Sequence, residues 1–113
     1  MAGLWIWLIL PGLSLTLGRD MRNRGQIFWE WADPDLHFRN FDERMADGSL
    51  INIQVRVSKA NQTQLFLGIY AQDGELLLEE GYLDCKDQTM TTAMTWALQR
   101  AYSWMTTGKL SDR

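Results

Sequence analysis

Residues 50–58 (LINIQVRVS) alternate apolar and polar side chains without a break. Ile51, Ile53, Val55 and Val57 share one face; Asn52, Gln54 and Arg56 share the other. A two-residue period in β-branched residues predicts a strand with one face in a core. Residues 64–71 (QLFLGIYA) repeat the pattern, with Leu65, Leu67, Ile69 and Ala71 set against Phe66, Gly68 and Tyr70. Residues 76–83 (LLLEEGYL) form the next strand, with either set eligible to face inward and Gly81 the expected place for a bulge that changes phase. Residues 36–44 (LHFRNFDER) read as an irregular strand, because Leu36, Phe38 and Phe41 keep no strict two-residue spacing.

Turn signals separate these runs. Asp47-Gly48 and Asp73-Gly74 each stand between strands, and Asp-Gly there is a strong hairpin signal. Residues 59–63 (KANQT) form a polar turn. The period then changes to 3.6: over residues 88–107, Met90, Met94, Ala97, Ala101 and Met105 form one stripe, widened by Ala93, Leu98 and Trp104. Asp87 or Thr89 suits the N-cap, Gly108 the left-handed position after the last turn, and Lys109 the negative end of the helix dipole. The small stripe Ala93, Ala97 and Ala101 lets this helix lie close to a sheet. Residues 26–32 (QIFWEWA) form a short helix or extended arm that ends before Asp33-Pro34. The expected fold is α+β: a two-layer sandwich in which an antiparallel meander of three to four strands packs on one long C-terminal helix.

Composition narrows the class. The chain has 113 residues, with 11 Lys+Arg against 14 Asp+Glu and a formal net charge of -3. That is one domain's worth, without the basic excess of a nucleic-acid arm. Cys85 is the only cysteine and His37 the only histidine, which excludes an intramolecular disulfide and a His-based metal cluster. A lone cysteine favours a reducing compartment.

Residues 1–20 are set apart by an uncharged run over 1–18, with its densest apolar part at 4–10. Three readings fit: a transmembrane anchor, short for the purpose and broken by Pro11 and Gly12; a signal peptide, lacking a basic start; or an extension ahead of a natural start at Met21. The expectation is an apolar extension over 1–20 and one α+β domain over 21–113, cytoplasmic, with membrane contact or export possible only through 1–20. Trp5 and Trp7 then lie outside the core.

Chemistry-bearing patterns are sparse. Glu79-Glu80 is read as a solvated edge pair, since strand neighbours point to opposite faces. Asp33/Asp35 and Asp42/Glu43 lack calcium-loop spacing. His37 has no Ser or Cys nucleophile close in sequence, and Cys85 beside Lys86 is read as a buried structural thiol. Asn61-Gln62-Thr63 matches the glycosylation acceptor, a pattern common by chance. No phosphate-binding glycine loop or nucleophile elbow is present in the sequence, so no catalytic, cofactor-binding or metal-ligating residue is assigned.

The second sheet face is richer. Arg56, Phe66 and Tyr70, with Leu77 or Tyr82, point away from the long helix. Open sheets of this kind stack nucleic-acid bases. The favoured expectation is that the aromatic arm, Phe28, Trp29 and Trp31, covers that face. Residues 46–58, 65–83 and 89–96 resemble small bacterial proteins of the kind found in pseudomonads. That resemblance implies a cytosolic bacterial origin and the strand–strand–strand–helix order, and brings no activity with it. The leading expectation is a small non-enzymatic interaction module, acting by self-association or on a larger protein partner through Phe28, Trp29, Trp31, Phe66 and Tyr70. Single-strand nucleic-acid binding through Arg56, Phe66 and Tyr70 is the alternative; an exported or membrane-tethered protein is a third.

Overall fold

The computed structural model describes residues 22–108. The readings placed on residues 1–20, Met21 and Lys109 lie outside the described residues. The order of elements is α1 (Gln26–Trp31), β1 (Phe38–Arg44), β2 (Leu50–Val57), β3 (Thr63–Tyr70), β4 (Leu76–Tyr82) and α2 (Met90–Thr107). The strands form one antiparallel sheet in the order β1-β2-β3-β4, with α2 packed on one face, as the two periodicities predict.

All three hairpin turns use one device. Gly48, Asn61 and Gly74 each adopt a positive φ, at 89°, 64° and 94°. In each turn the amide of that residue donates to a carbonyl three residues back: Met45, Ser58 and Ala71. Asp47 and Asp73 accept from the backbone amides of Ser49 and Glu75, which locks the two Asp-Gly turns. Asn61 therefore has a conformational role: asparagine tolerates the left-handed region better than most residues.

The α2 face of the sheet carries the expected core. Ile51, Ile53, Val55, Leu65, Leu67 and Ile69 are fully buried against Ala93, Ala97 and Ala101. The three alanines bring the helix backbone close, and the larger Met94, Leu98, Trp104 and Met105 seal its flanks. Thr89 is the N-cap, its hydroxyl accepting from the Thr92 amide at 3.1 Å, and Gly108 closes the helix at φ 73°. Val57, expected on the core face, stands at the end of β2 and is exposed.

Strand β4 departs from expectation. Its irregularity lies between the Ile69–Leu78 and Tyr70–Leu76 pairs, so the extra residue is Leu77 and not Gly81. Downstream of it, Leu78, Glu80 and Tyr82 share the α2 face. The reading of Glu79-Glu80 as a solvated pair is overturned. Neighbours do point to opposite faces, but both faces are covered. Glu80 meets Arg100 of α2 in a two-point ion pair, Nε–Oε1 2.6 Å and Nη2–Oε2 2.9 Å, and accepts from Tyr82. Burial works to raise the Glu80 carboxyl, but the Arg100 and Tyr82 hydrogen bonds outweigh it and hold the group below its ordinary value of 4.5. A depressed carboxyl stabilises the fold above its unfolded value and loses that contribution as pH falls through the folded one. The expected result is a melting temperature that drops below pH 4.5 in the natural chain and drops less in Glu80→Gln, measured by calorimetry down to about pH 3.

Candidate interaction cleft

The second sheet face is built from alternate residues in register: Asn40, Gln54, Phe66 and Gly81 form one row, and Asp42, Asn52, Gly68 and Glu79 the next. The aromatic arm crosses this face on its β3 and β4 side. Six residues are too few for a stable isolated helix, so α1 depends on what it docks against.

Glu79 supplies the anchor. Its carboxylate accepts from the backbone amides of Gly25 at 2.9 Å and Phe28 at 3.1 Å, and from the Tyr70 hydroxyl at 2.9 Å. Gly25 is the N-cap of α1 and has no side chain to cap with. A carboxylate from the sheet does that work, at the positive end of the helix. A Cβ on Gly25 would lie 2.7 Å from the Glu79 Oε1 and 2.6 Å from Leu76, so glycine is what lets the sheet reach the helix end. Asn23 donates its amide to the Gly74 carbonyl at 2.9 Å, and Arg22 pairs with Asp42 at 2.9 Å.

Aromatic packing completes the docking. Trp31 is buried, its ring 5.8 Å from Phe66, and its indole N–H donates to the Tyr82 carbonyl at 3.3 Å. Phe28 meets Phe66 edge-on at 5.1 Å. Arg24 lies 4.1 Å over the Phe28 ring and donates to Asn52 and to the Tyr70 hydroxyl. Gly81 lets α1 approach: a Cβ there would sit 3.3 Å from both Ile27 and Trp31. Burial, first, pushes the Tyr70 hydroxyl well above its ordinary value, although Arg24 opposes the shift, so this group stays a neutral donor.

Gly68 makes room for the Tyr70 ring, which folds back over it; a Cβ there would meet the ring at 2.6–2.9 Å. Gly68 is buried and Tyr70 fully so, which leaves the ring little room to move. Gly68→Ala is expected to cost about 2 kcal/mol by overpacking, read as a lower denaturant midpoint in urea.

Beyond the arm's edge the second face stays open. A cleft of about 690 Å³ runs between the arm and the β1–β2 side of the sheet. Phe28, Trp29, Trp31 and Pro34 line it from the arm, and Phe38, Gln54 and Arg56 from the sheet. Trp29 is 66% exposed and Phe38 51%. At the cleft's floor Arg56 is only 4% exposed. Its guanidinium lies 3.7 Å from the Trp31 ring centre, and its Nε donates to Gln64 at 2.7 Å. Burial pushes this group below its ordinary value, partly offset by the charge of Asp33.

The six residues singled out from sequence thus divide. Phe66 and Tyr70 are fully buried under the arm, Trp31 and Arg56 nearly so, and Phe28 is half-buried between arm and cleft. Trp29 alone of the six stands in solvent. The expected surface of Phe28, Trp29, Trp31, Phe66 and Tyr70 is corrected accordingly: Phe66 and Tyr70 are core of the arm–sheet contact and present no ring to a partner or a base. Phe38, Arg24 and Gln54 take part in the cleft without having been expected there. The signal for Phe38 was its place opposite Arg56 in a strand whose irregular pattern concealed the register.

Cys85 is buried at the end of the sheet, as expected, and its amide donates to the Thr63 carbonyl. Among the described residues no group of three His, Cys, Asp or Glu is placed to hold a metal ion, and no helix is long and apolar enough to cross a membrane. Fold and cleft together define a small α+β protein with an aromatic, arginine-floored groove between a docked arm and a sheet. No protein-family model matches the chain, and neither a curated protein nor a solved structure matches it significantly.

Proposed function

We propose that this protein is a non-enzymatic interaction module that holds a protein partner in the cleft beneath Trp29. One observation carries the reading: two large aromatic side chains, Trp29 and Phe38, border the same cleft and remain more than half exposed. Large exposed apolar side chains clustered at a concave surface mark contact sites, and aromatics are the side chains most often central to binding energy. The lone cysteine and the resemblance to pseudomonad proteins support a cytoplasmic, bacterial setting. Single-strand nucleic-acid binding has less support, since its two stacking residues, Phe66 and Tyr70, lie under the arm.

The test compares proteins retained from host lysate by the full chain and by Trp29→Ala. The variant is expected to keep its melting temperature and to bind about 30-fold more weakly, the scale of a central aromatic contact. Equal retention of the same proteins by both chains overturns the reading.

A further inference from the structure

We propose that the cleft recognises a carboxylate flanked by a large apolar group on a peptide segment of the partner, and that Arg56 holds the carboxylate. This inference rests on the reading of the cleft as the partner-binding surface and specifies what the partner brings to it.

The floor of the cleft carries the case. Arg56 is 96% removed from solvent, yet no described carboxylate lies within ion-pair distance of it, and the charge of Asp33 acts only from further off. One face of its guanidinium is taken by Trp31 and its Nε by Gln64; no described residue accepts from its two terminal nitrogens. A buried cation without a close counter-ion is costly, and proteins ordinarily pair such a group directly. The stacked, hydrogen-bonded guanidinium is fixed in plane, and its remaining donors form the fork that matches a carboxylate at two points.

The surroundings agree in charge. Three arginines line the cleft. Arg22 is neutralised by Asp42, whereas Arg24 and Arg56 have no described ion partner. One carboxylate, Asp33, borders the cleft against them. The positive character is therefore local, in a chain whose net charge is -3. Arg56 also borders a second hollow of about 410 Å³, where Asp33 and Asp35 balance Arg56 and Lys59 and the lining carries no aromatic side chain. The aromatic cleft, with three arginines to one carboxylate, is the more favourable approach for an anion that carries an apolar group. Trp29 and Phe38 then offer an apolar group beside the carboxylate its contact surface, which a bare anion does not use.

The test uses the full chain labelled with nitrogen-15 and three probes: N-acetylphenylalanine, its neutral amide, and inorganic phosphate. The acid is expected to shift the Trp29 indole N–H and the Arg56 Nε–H saturably, and the amide to bind about tenfold or more weakly. Arg56→Gln is expected to remove the difference between acid and amide, and Arg56→Lys, which keeps the charge without the fork, to retain part of it. Because the acid–amide comparison is made on the natural chain, it stands even if a variant fails to fold. Equal binding of acid and amide, no shift by either, or phosphate binding as tightly as the acid overturns the proposal; the last points to a general anion or nucleic-acid site. If acid and amide bind alike while Trp29→Ala loses its partner, the carboxylate role falls and the interaction module stands. If Trp29→Ala keeps its partner, both fall.

Discussion

Trp31→Ala is expected to lower stability by about 3–5 kcal/mol, the range for removing a buried indole. The ring is buried, packs on Phe66, covers the Arg56 guanidinium at 3.7 Å and bonds the Tyr82 carbonyl. Deleting it takes the lid off a buried cation and leaves a void over Phe66. The cost has a ceiling. If the arm releases as a unit while sheet and α2 stay folded, the global loss cannot exceed the free energy of docking the arm. Thermal melting followed by near-ultraviolet circular dichroism measures the global term. Limited proteolysis between α1 and β1 measures arm release. A variant that melts like the natural chain and resists proteolysis equally would mean that Trp31 does not hold the arm.

Glu79→Ala is the second large effect, expected at about 3 kcal/mol. Three donors lose their acceptor at once: the Gly25 and Phe28 amides and the Tyr70 hydroxyl. Hydrogen bonds to a charged acceptor contribute about 1.5–3 kcal/mol each, but three on one group are not additive. Arg24, which donates to the same Tyr70 hydroxyl, loses its link through Tyr70 to this carboxylate as well. Hydrogen exchange is the discriminating readout. The Phe28 amide is expected to exchange far faster in the variant, while the amides of β2 and β3 slow or hasten only with global stability. Unchanged exchange at Phe28 would show that the N-terminus of α1 is satisfied by something other than Glu79.

Both effects arise from a contact that the chain's pattern shows only in part. Alternation in residues 50–57 and 64–70, and the change of period at α2, locate the meander and the long helix, because each has one apolar face in a shared core. The short aromatic segment and its role as a cover were also legible, since three large rings need a surface. Strand β1 was not clear: it is an edge strand with little buried side chain, so its sequence carries few core positions. The role of Glu79 is hidden for a related reason. In a strand with two covered faces a carboxylate looks like a solvent marker, and only its partners reveal that it caps a helix 51 to 54 residues away in sequence. Glycine often marks a bulge, which makes Gly81 the expected site; here Gly81 makes way for α1, and Leu77 is the extra residue. The cleft itself was out of reach, because it depends on how far the arm extends over the sheet.

Everything proposed for the cleft requires the arm to lie on β3 and β4 with Trp31 over Arg56. The most direct measurement is the set of proton–proton nuclear Overhauser effects from the Trp31 indole in the full chain. Strong contacts to the Phe66 ring and the Arg56 side chain are predicted, with none to residues of α2. Their absence, together with a solvent-exposed Phe66 ring, would contradict the account.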